Sequence, residues 1–299
     1  MELSQLRMLK AVAESGSVVR AADLLHCVPS NVTARIKALE SELGIALFHR
    51  AGRGLRITSA GEVYLDYADR ILALAAEAKR AVDPSSTPSG PLKIGAIESS
   101  ATGRLPRLLA RFHARFPGVS LQLVTGTWQQ LIDEVQHNRL DGAIVAVEVN
   151  HPRLSNAVIY EESLVLIASK SLGQLGDAKD LQGKTIFMWP PGCPYRAALE
   201  RWLHGHGLNL PIVSYASYGT IAGCVGAGAG VSLVPKGIYH QYAQAAELIG
   251  LEFPDLAVIQ NRFIWHKQAG RHSARDAFIA MLHEEFTLAR EQGGMMFSG

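Results

Sequence analysis

One stretch divides this chain before any element is assigned. Asp83-Pro84-Ser85-Ser86-Thr87-Pro88-Ser89-Gly90-Pro91 holds three prolines and no large apolar side chain. Proline fixes φ and lacks an amide hydrogen, so the run can be neither helix nor core strand. It reads as a linker with about 80 residues before it and about 200 after it. A small N-terminal domain and a larger C-terminal one are therefore expected. Hydrophobic residues at 48% and charged residues at 19% supply a large core and exclude wholesale disorder. The net charge is only +2, so its location matters more than its size. Residues 1–58 carry eight basic side chains against five acidic ones, a mild excess at the N-terminal end.

Before the linker the pattern is helical. Leu3, Leu6, Leu9 and Val12 recur at helical spacing, and Gly16 stops that helix. Ser17 can cap a second helix over residues 18–25, and a tight turn at residues 26–28 leads to a third over about residues 30–43. In the third, Val32, Ile36, Leu39 and Leu43 share one face, which leaves Ser30, Lys37 and Ser41 on the opposite side with Asn31 and Thr33 flanking. This is a helix-turn-helix arrangement, whose second helix enters the major groove of DNA. Arg50, Arg53 and Arg56 follow in a Gly-rich segment that reads as a hairpin wing suited to phosphate contact. Ser59 and Glu62 fit a capping box that opens a long helix. Its Tyr64, Ala68, Ile71, Ala75, Ala78 and Val82 repeat every 3.5 residues, and we expect that seam to pair with another helix rather than with its own domain.

After the linker, strands and helices alternate, which predicts an α/β domain with a largely parallel sheet and ligands beyond the carboxyl ends of its strands. Glu98-Ser99-Ser100-Ala101-Thr102 follows the first strand and opens a helix, so hydroxyls and free amides meet there. Thr127 opens another helix, Cys193 and Tyr195 a third, and Tyr218 and Thr220 a fourth. The run from Gly226 to Gly230 matches neither the dinucleotide fingerprint nor a P-loop, and close packing of a helix end explains it better. Cys193 beside Arg196 could be redox-active, but without a neighbouring cysteine a cleft-wall thiol is the simpler reading. His204 and His206 read as polar residues at a helix end. The three widely spaced cysteines form no disulfide or zinc pattern. No catalytic order, metal motif or cofactor fingerprint appears, so neither an enzyme nor a cofactor is expected. No apolar leader opens the chain, and no run reaches the ~18 apolar residues of a membrane helix. A cytoplasmic protein without membrane contact is expected.

The run Leu6-Arg7…Ala11-Val12-Ala13-Glu14-Ser15-Gly16-Ser17…Ala21-Ala22…Leu24-Leu25-His26 resembles the signature of LysR-type transcriptional regulators. So does Val32…Ile36-Lys37…Leu39-Glu40…Leu43-Gly44…Leu47-Phe48-His49-Arg50…Thr58-Ser59-Ala60-Gly61. Sparser matches continue to Val234-Pro235 and take in essentially the whole chain. The resemblance implies a winged helix-turn-helix domain (residues 1–58), a dimerising linker helix (59–83), a hinge linker (84–91) and an effector-binding domain (92–299). The last would be two-lobed like periplasmic binding proteins, with lobe I at about 92–162 and 266–299 and lobe II at about 163–265. It further implies a homotetramer whose promoter engagement changes when a small molecule binds between the lobes, with double-stranded DNA and RNA polymerase as partners. In this family Ser99, Ser100 and Thr102 would line the cleft with Thr127, facing Cys193, Tyr195, Tyr218 and Thr220. Four polar helix starts would suit a small anionic or polar ligand, most simply a carboxylate, while the lack of a basic cluster in these segments leaves neutral and cationic ligands open. The chain departs from the family where Ser-Gln-Pro-Ala-Val-Ser-Arg is usual, reading Val28-Pro29-Ser30-Asn31-Val32-Thr33-Ala34. With Pro29 and Ala34 at the usual contact positions, DNA recognition must fall to Ser30, Asn31, Thr33 and Arg35, supported by Lys37 and the wing arginines.

Overall fold

The computed structural model describes residues 1–52, 54–81, 87–172 and 175–294. The chain forms two compact units, Met1–Gly90 and Pro91–Gly299. In the first, helix α1 (Leu3–Ser15) buries Leu6, Leu9 and Val12 and ends at Gly16, whose φ of +65° forms a left-handed cap. Ser17 caps α2 (Val18–Leu24), where Ala21 and Ala22 are fully buried. A turn with His26 at φ +51° leads to α3 (Pro29–Leu43), whose first residue is a proline, where a missing amide hydrogen costs nothing. Val32, Ile36 and Leu39 face the core as their spacing predicts, but Leu43 is exposed. Strands β1 (Phe48–Ala51) and β2 (Gly54–Ile57) form the antiparallel wing, with Arg50 opposite Leu55. Of the wing arginines, Arg53 lies outside the described residues.

Helix α4 (Ser59–Ala81) follows, with two corrections. Its cap is Thr58, not Ser59, because Thr58 Oγ1 accepts the Gly61 amide at 3.0 Å. The seam expected from Tyr64, Ala68 and Ile71 faces its own domain. Ala68 is fully buried in the core with Leu9 and Val12, Tyr64 and Ile71 pack on that core, and Lys10 Nζ holds Asp69 at 2.8 Å. Val63, Tyr67 and Leu74 are the large apolar side chains left exposed, at 61%, 56% and 62%. They share a face turned roughly 90° from the expected seam. Val82 lies outside the described residues.

The second unit begins with β3 (Gly90–Ala96), α5 (Glu98–Gly103), α6 (Leu105–Arg115), β4 (Val119–Thr125), α7 (Trp128–Gln136), β5 (Gly142–Val145) and β6 (Leu154–Glu162). After Ser163 the chain enters a second lobe of β7 (Leu164–Ser169), β8 (Ile186–Met188), α8 (Pro194–Gly205), β9 (Ile212–Ser214), α9 (Tyr218–Gly226), β10 (Ser232–Pro235), α10 (Lys236–Tyr242) and β11 (Leu248–Leu251). It returns through β12 (Ile259–His266) and α11 (Ser273–Gly294). The first lobe's sheet runs β4-β3-β5-β12-β6 and the second carries β10-β7-β11 and β8-β9. Phe112 and Phe278, from α6 and α11, meet edge-on at 5.4 Å on one face of the first sheet.

Two expectations change here. Strand β12 pairs antiparallel with β5 and β6, for instance Ile264 with Ala143 and Asn261 with Tyr160, so it belongs to lobe I. Lobe II thus ends before Ile259 rather than at residue 265, and the crossings fall at Ser163 and residues 252–258. The sheets are also mixed rather than largely parallel, since β7 is flanked antiparallel by β10 and β11. Glycine packing in the second lobe follows the sequence reading. A Cβ on Gly226 would strike the Ala246 carbonyl, and one on Gly230 the Thr185 carbonyl.

Candidate functional site

Between the lobes lies a cavity of about 590 Å³, within the range of small-molecule sites. The carboxyl ends of β3, β4 and β8 open onto it, as expected for ligand sites in α/β sheets. Helices α7, α8 and α9 begin at its rim, each with its own cap. Thr127 Oγ1 accepts the Gln130 amide, Cys193 occupies the cap of α8, and Ser217 Oγ accepts the Thr220 amide. The lobes are joined across the cavity. Ser99 Oγ donates to the Tyr195 hydroxyl at 3.1 Å, and Trp128 Nε1 donates to the Gly192 carbonyl at 2.9 Å.

Five of the eight residues expected to line the cleft do so: Ser99, Thr127, Cys193, Tyr195 and Tyr218. Ser100, Thr102 and Thr220 do not. Ser100 is fully buried, its Oγ 2.7 Å from the Tyr160 hydroxyl, and Thr102 Oγ1 donates to Glu98 Oε1 at 2.8 Å. Each residue along a helix turns about 100° from the last, so a run of hydroxyls at a helix start cannot all face one wall. Burial pushes the Tyr195 and Tyr218 phenols up, and both remain neutral hydroxyls. Burial likewise raises the Cys193 thiol, and outweighs the Arg196 and Tyr195 amides that pull it down.

The wall also holds Glu98 and Trp128, from two loops the sequence singles out, and Trp189 and Tyr242, which the sequence reading missed. Trp189 leans against Tyr218 with ring centroids 5.2 Å apart. A tryptophan just past the end of a strand, as at positions 128 and 189, was the available signal. The two nearby cations face elsewhere. Arg104 donates twice to Glu162, at 2.9 and 2.7 Å, and Glu162 is 2% exposed. Arg196 is held by Glu200 at 2.7 Å, Ser214 at 2.8 Å and the Trp189 carbonyl at 3.1 Å. His206, read as a plain surface residue, pairs with Asp255 at 2.6 Å.

The first unit presents a second concavity, of about 600 Å³, between α3 and the wing. Thr33, Lys37 and Arg50 line it. Ser30 and Asn31 are exposed at the start of α3, and Arg56 is exposed on β2. Arg35 is the exception: it sits beside the buried face and donates to the Glu2 carboxylate at 2.5 Å. From beside the Val32–Ile36 seam its side chain reaches the start of α1 and stays 40% exposed.

Comparison with known proteins places both units. Residues 3–62 match the family described as bacterial regulatory helix-turn-helix protein, lysR family, and residues 85–287 match the LysR substrate binding domain. The chain is 37% identical over 281 residues to the uncharacterized HTH-type transcriptional regulator YusT of Bacillus subtilis, covering 93% of this chain and 94% of that protein. It is 35% identical over 293 residues to the HTH-type transcriptional regulator GltR of the same species, covering 97% and 99%. Among solved structures, a Corynebacterium glutamicum OxyR mutant superposes with a TM-score of 0.71 at 21% identity, covering 99% of this chain and 95% of that one. Full-length CbnR complexed with its target DNA gives 0.64 at 22%, covering 95% and 100%. These relatives are regulators, not enzymes. The chain belongs to the LysR family of DNA-binding transcriptional regulators.

Proposed function

We propose that this regulator controls promoters through a small molecule held between its two lobes. The observation that carries this is the interlobe cavity, whose walls are joined by the Ser99–Tyr195 and Trp128–Gly192 hydrogen bonds. A ligand entering there must replace or reinforce those contacts, and so biases how far the lobes close about Ser163 and residues 252–258. The starts of α7 and α9 offer backbone amides to an acceptor end of the ligand, such as a carboxylate. Self-association, in pairs through Val63, Tyr67 and Leu74 and further into a tetramer, would carry that bias to DNA and RNA polymerase in the cytoplasm. On DNA, Lys37, Arg50, Arg53 and Arg56 supply phosphate contacts, while Ser30, Asn31 and Thr33 meet base edges. Arg35 joins them only by releasing Glu2. A thermal-shift screen of metabolites on the full chain tests the cleft, because a ligand of the folded state raises its stability. Hits should lose their shift in the Ser99→Ala/Trp128→Phe variant. Hits that bind this variant undiminished would place the ligand elsewhere.

A further inference from the structure

The cleft's side chains supply no positive charge to balance an anion at its polar helix starts. Among the described residues, no Lys, Arg or His lines it, and Glu98 is its carboxylate. Arg104 and Arg196, which adjoin the cleft segments in sequence, are already bound to Glu162 and Glu200. Glu98 Oε1 accepts from Thr102, which leaves Oε2 without a protein partner among the described residues. Five aromatic residues, Trp128, Trp189, Tyr195, Tyr218 and Tyr242, share the wall with Ile97, Ala216 and three prolines. Ring faces carry negative electrostatic potential and attract cations, and a carboxylate beside them adds to that attraction. A purely anionic ligand would meet Glu98 with no compensating cation.

Resting on the interlobe reading above, we infer that the occupant of this cleft carries a positively charged ammonium group. That group sits against Glu98 and the Trp–Tyr wall, and any acceptor end lies at the helix starts. Amino acids and betaines are small members of this class. Three probes on one frame test it with the full-length protein: 2-phenylethylammonium, phenylalanine and 3-phenylpropanoate, read by thermal shift and titration. The two ammonium probes should bind and the carboxylate should not. Glu98→Gln should weaken both ammonium probes about tenfold or more, since a charge-assisted contact is lost, and Glu98→Asp should restore most of that. Should Glu98→Gln fail to fold, Trp189→Leu makes the same comparison by removing a ring face. Binding of 3-phenylpropanoate alone, ammonium binding indifferent to Glu98, or no binding by any probe would each overturn the inference. A carboxylate shift that Ser99→Ala/Trp128→Phe abolishes would keep the cleft reading while removing the ammonium class.

Discussion

The two concavities of this protein are of nearly the same size, about 600 and 590 Å³, and are lined by different side chains. The groove between α3 and the wing carries Lys37 and Arg50 beside Glu40, with Phe48 as its aromatic ring among the described residues. The interlobe cleft carries aromatic rings and one carboxylate but no basic side chain among the described residues. Volume therefore says little about what binds. A polyanion releases condensed counterions wherever cations meet its phosphates, so the groove needs exposed, loosely held basic side chains. A small molecule must be desolvated on most sides, so the cleft needs rigid apolar walls and a few fixed polar groups. The difference also shows in what the cations do. On the groove they face solvent, whereas beside the cleft Arg104 and Arg196 are tied into ion pairs.

The largest effect expected is on pairing, which the proposed reading of DNA by symmetric copies requires. Leu74→Asp puts a carboxylate into each half of a symmetric apolar contact, at a cost of about 3–5 kcal/mol for each unpaired buried charge. Light scattering on the full chain should show monomer at concentrations where the parent pairs. Operator affinity should fall with it, while cleft ligands bind as before. An unchanged assembly would mean that Val63, Tyr67 and Leu74 cover nothing.

Arg104→Met tests whether the cation beside the cleft is structural. It leaves the Glu162 carboxylate buried without its partner, and we expect a loss of about 3–5 kcal/mol of stability. All four tryptophans lie in the second unit, so their fluorescence follows that unit alone during denaturation. A stable variant with weakened ligand binding would make Arg104 a ligand contact and erase the contrast with the groove. On the groove itself, Arg50→Ala should weaken all DNA sequences alike by about 1 kcal/mol and lower the salt slope by about one. Thr33→Ala should instead weaken the specific site alone. A changed base preference in Arg50→Ala with the salt slope intact would reassign the wing to base reading.

The groove was more legible in the sequence than the cleft, for a physical reason. Helix α3 and the wing are local: the period of Val32, Ile36 and Leu39 fixes which side faces out, and the turn fixes where the arginines follow. Even there, the Arg35 contact with Glu2 was not legible, because Glu2 lies outside α3, at the cap of α1. Helix α4 was misphased because an alanine-rich repeat fits either neighbour, and only the packing of Ala68 against α1 decides between them. The cleft gathers loops that lie about 140 residues apart in sequence, from Ile97 to Tyr242. Ser99 and Ser100 look equivalent in the sequence, yet one faces the cavity and the other Tyr160. Strand β12 escaped notice because its place beside β5 depends on an antiparallel return that no local pattern announces.

The smallest effect concerns Cys193, and it separates a wall thiol from a reactive one. A thiol poised for redox work has a lowered pKa and is a thiolate at neutral pH. Burial does the reverse here, raising it above the ordinary value of 9.0 despite the amides at the start of α8. The folded chain thus keeps a proton that the unfolded chain gives up, so this group's contribution to stability is complete below pH 9.0 and is lost as pH rises through the folded value. In a Cys27→Ser/Cys224→Ser background, alkylation of Cys193 should be slow at neutral pH and should accelerate only in strongly alkaline buffer. A bound cleft ligand should slow it further, since Cys193 lines the same cavity. Cys193→Ser should shift stability by no more than about 1 kcal/mol, the range of near-isosteric changes. Rapid alkylation at pH 7 would show an activated thiol, and the cleft would then be a chemical sensor as well as a binding site.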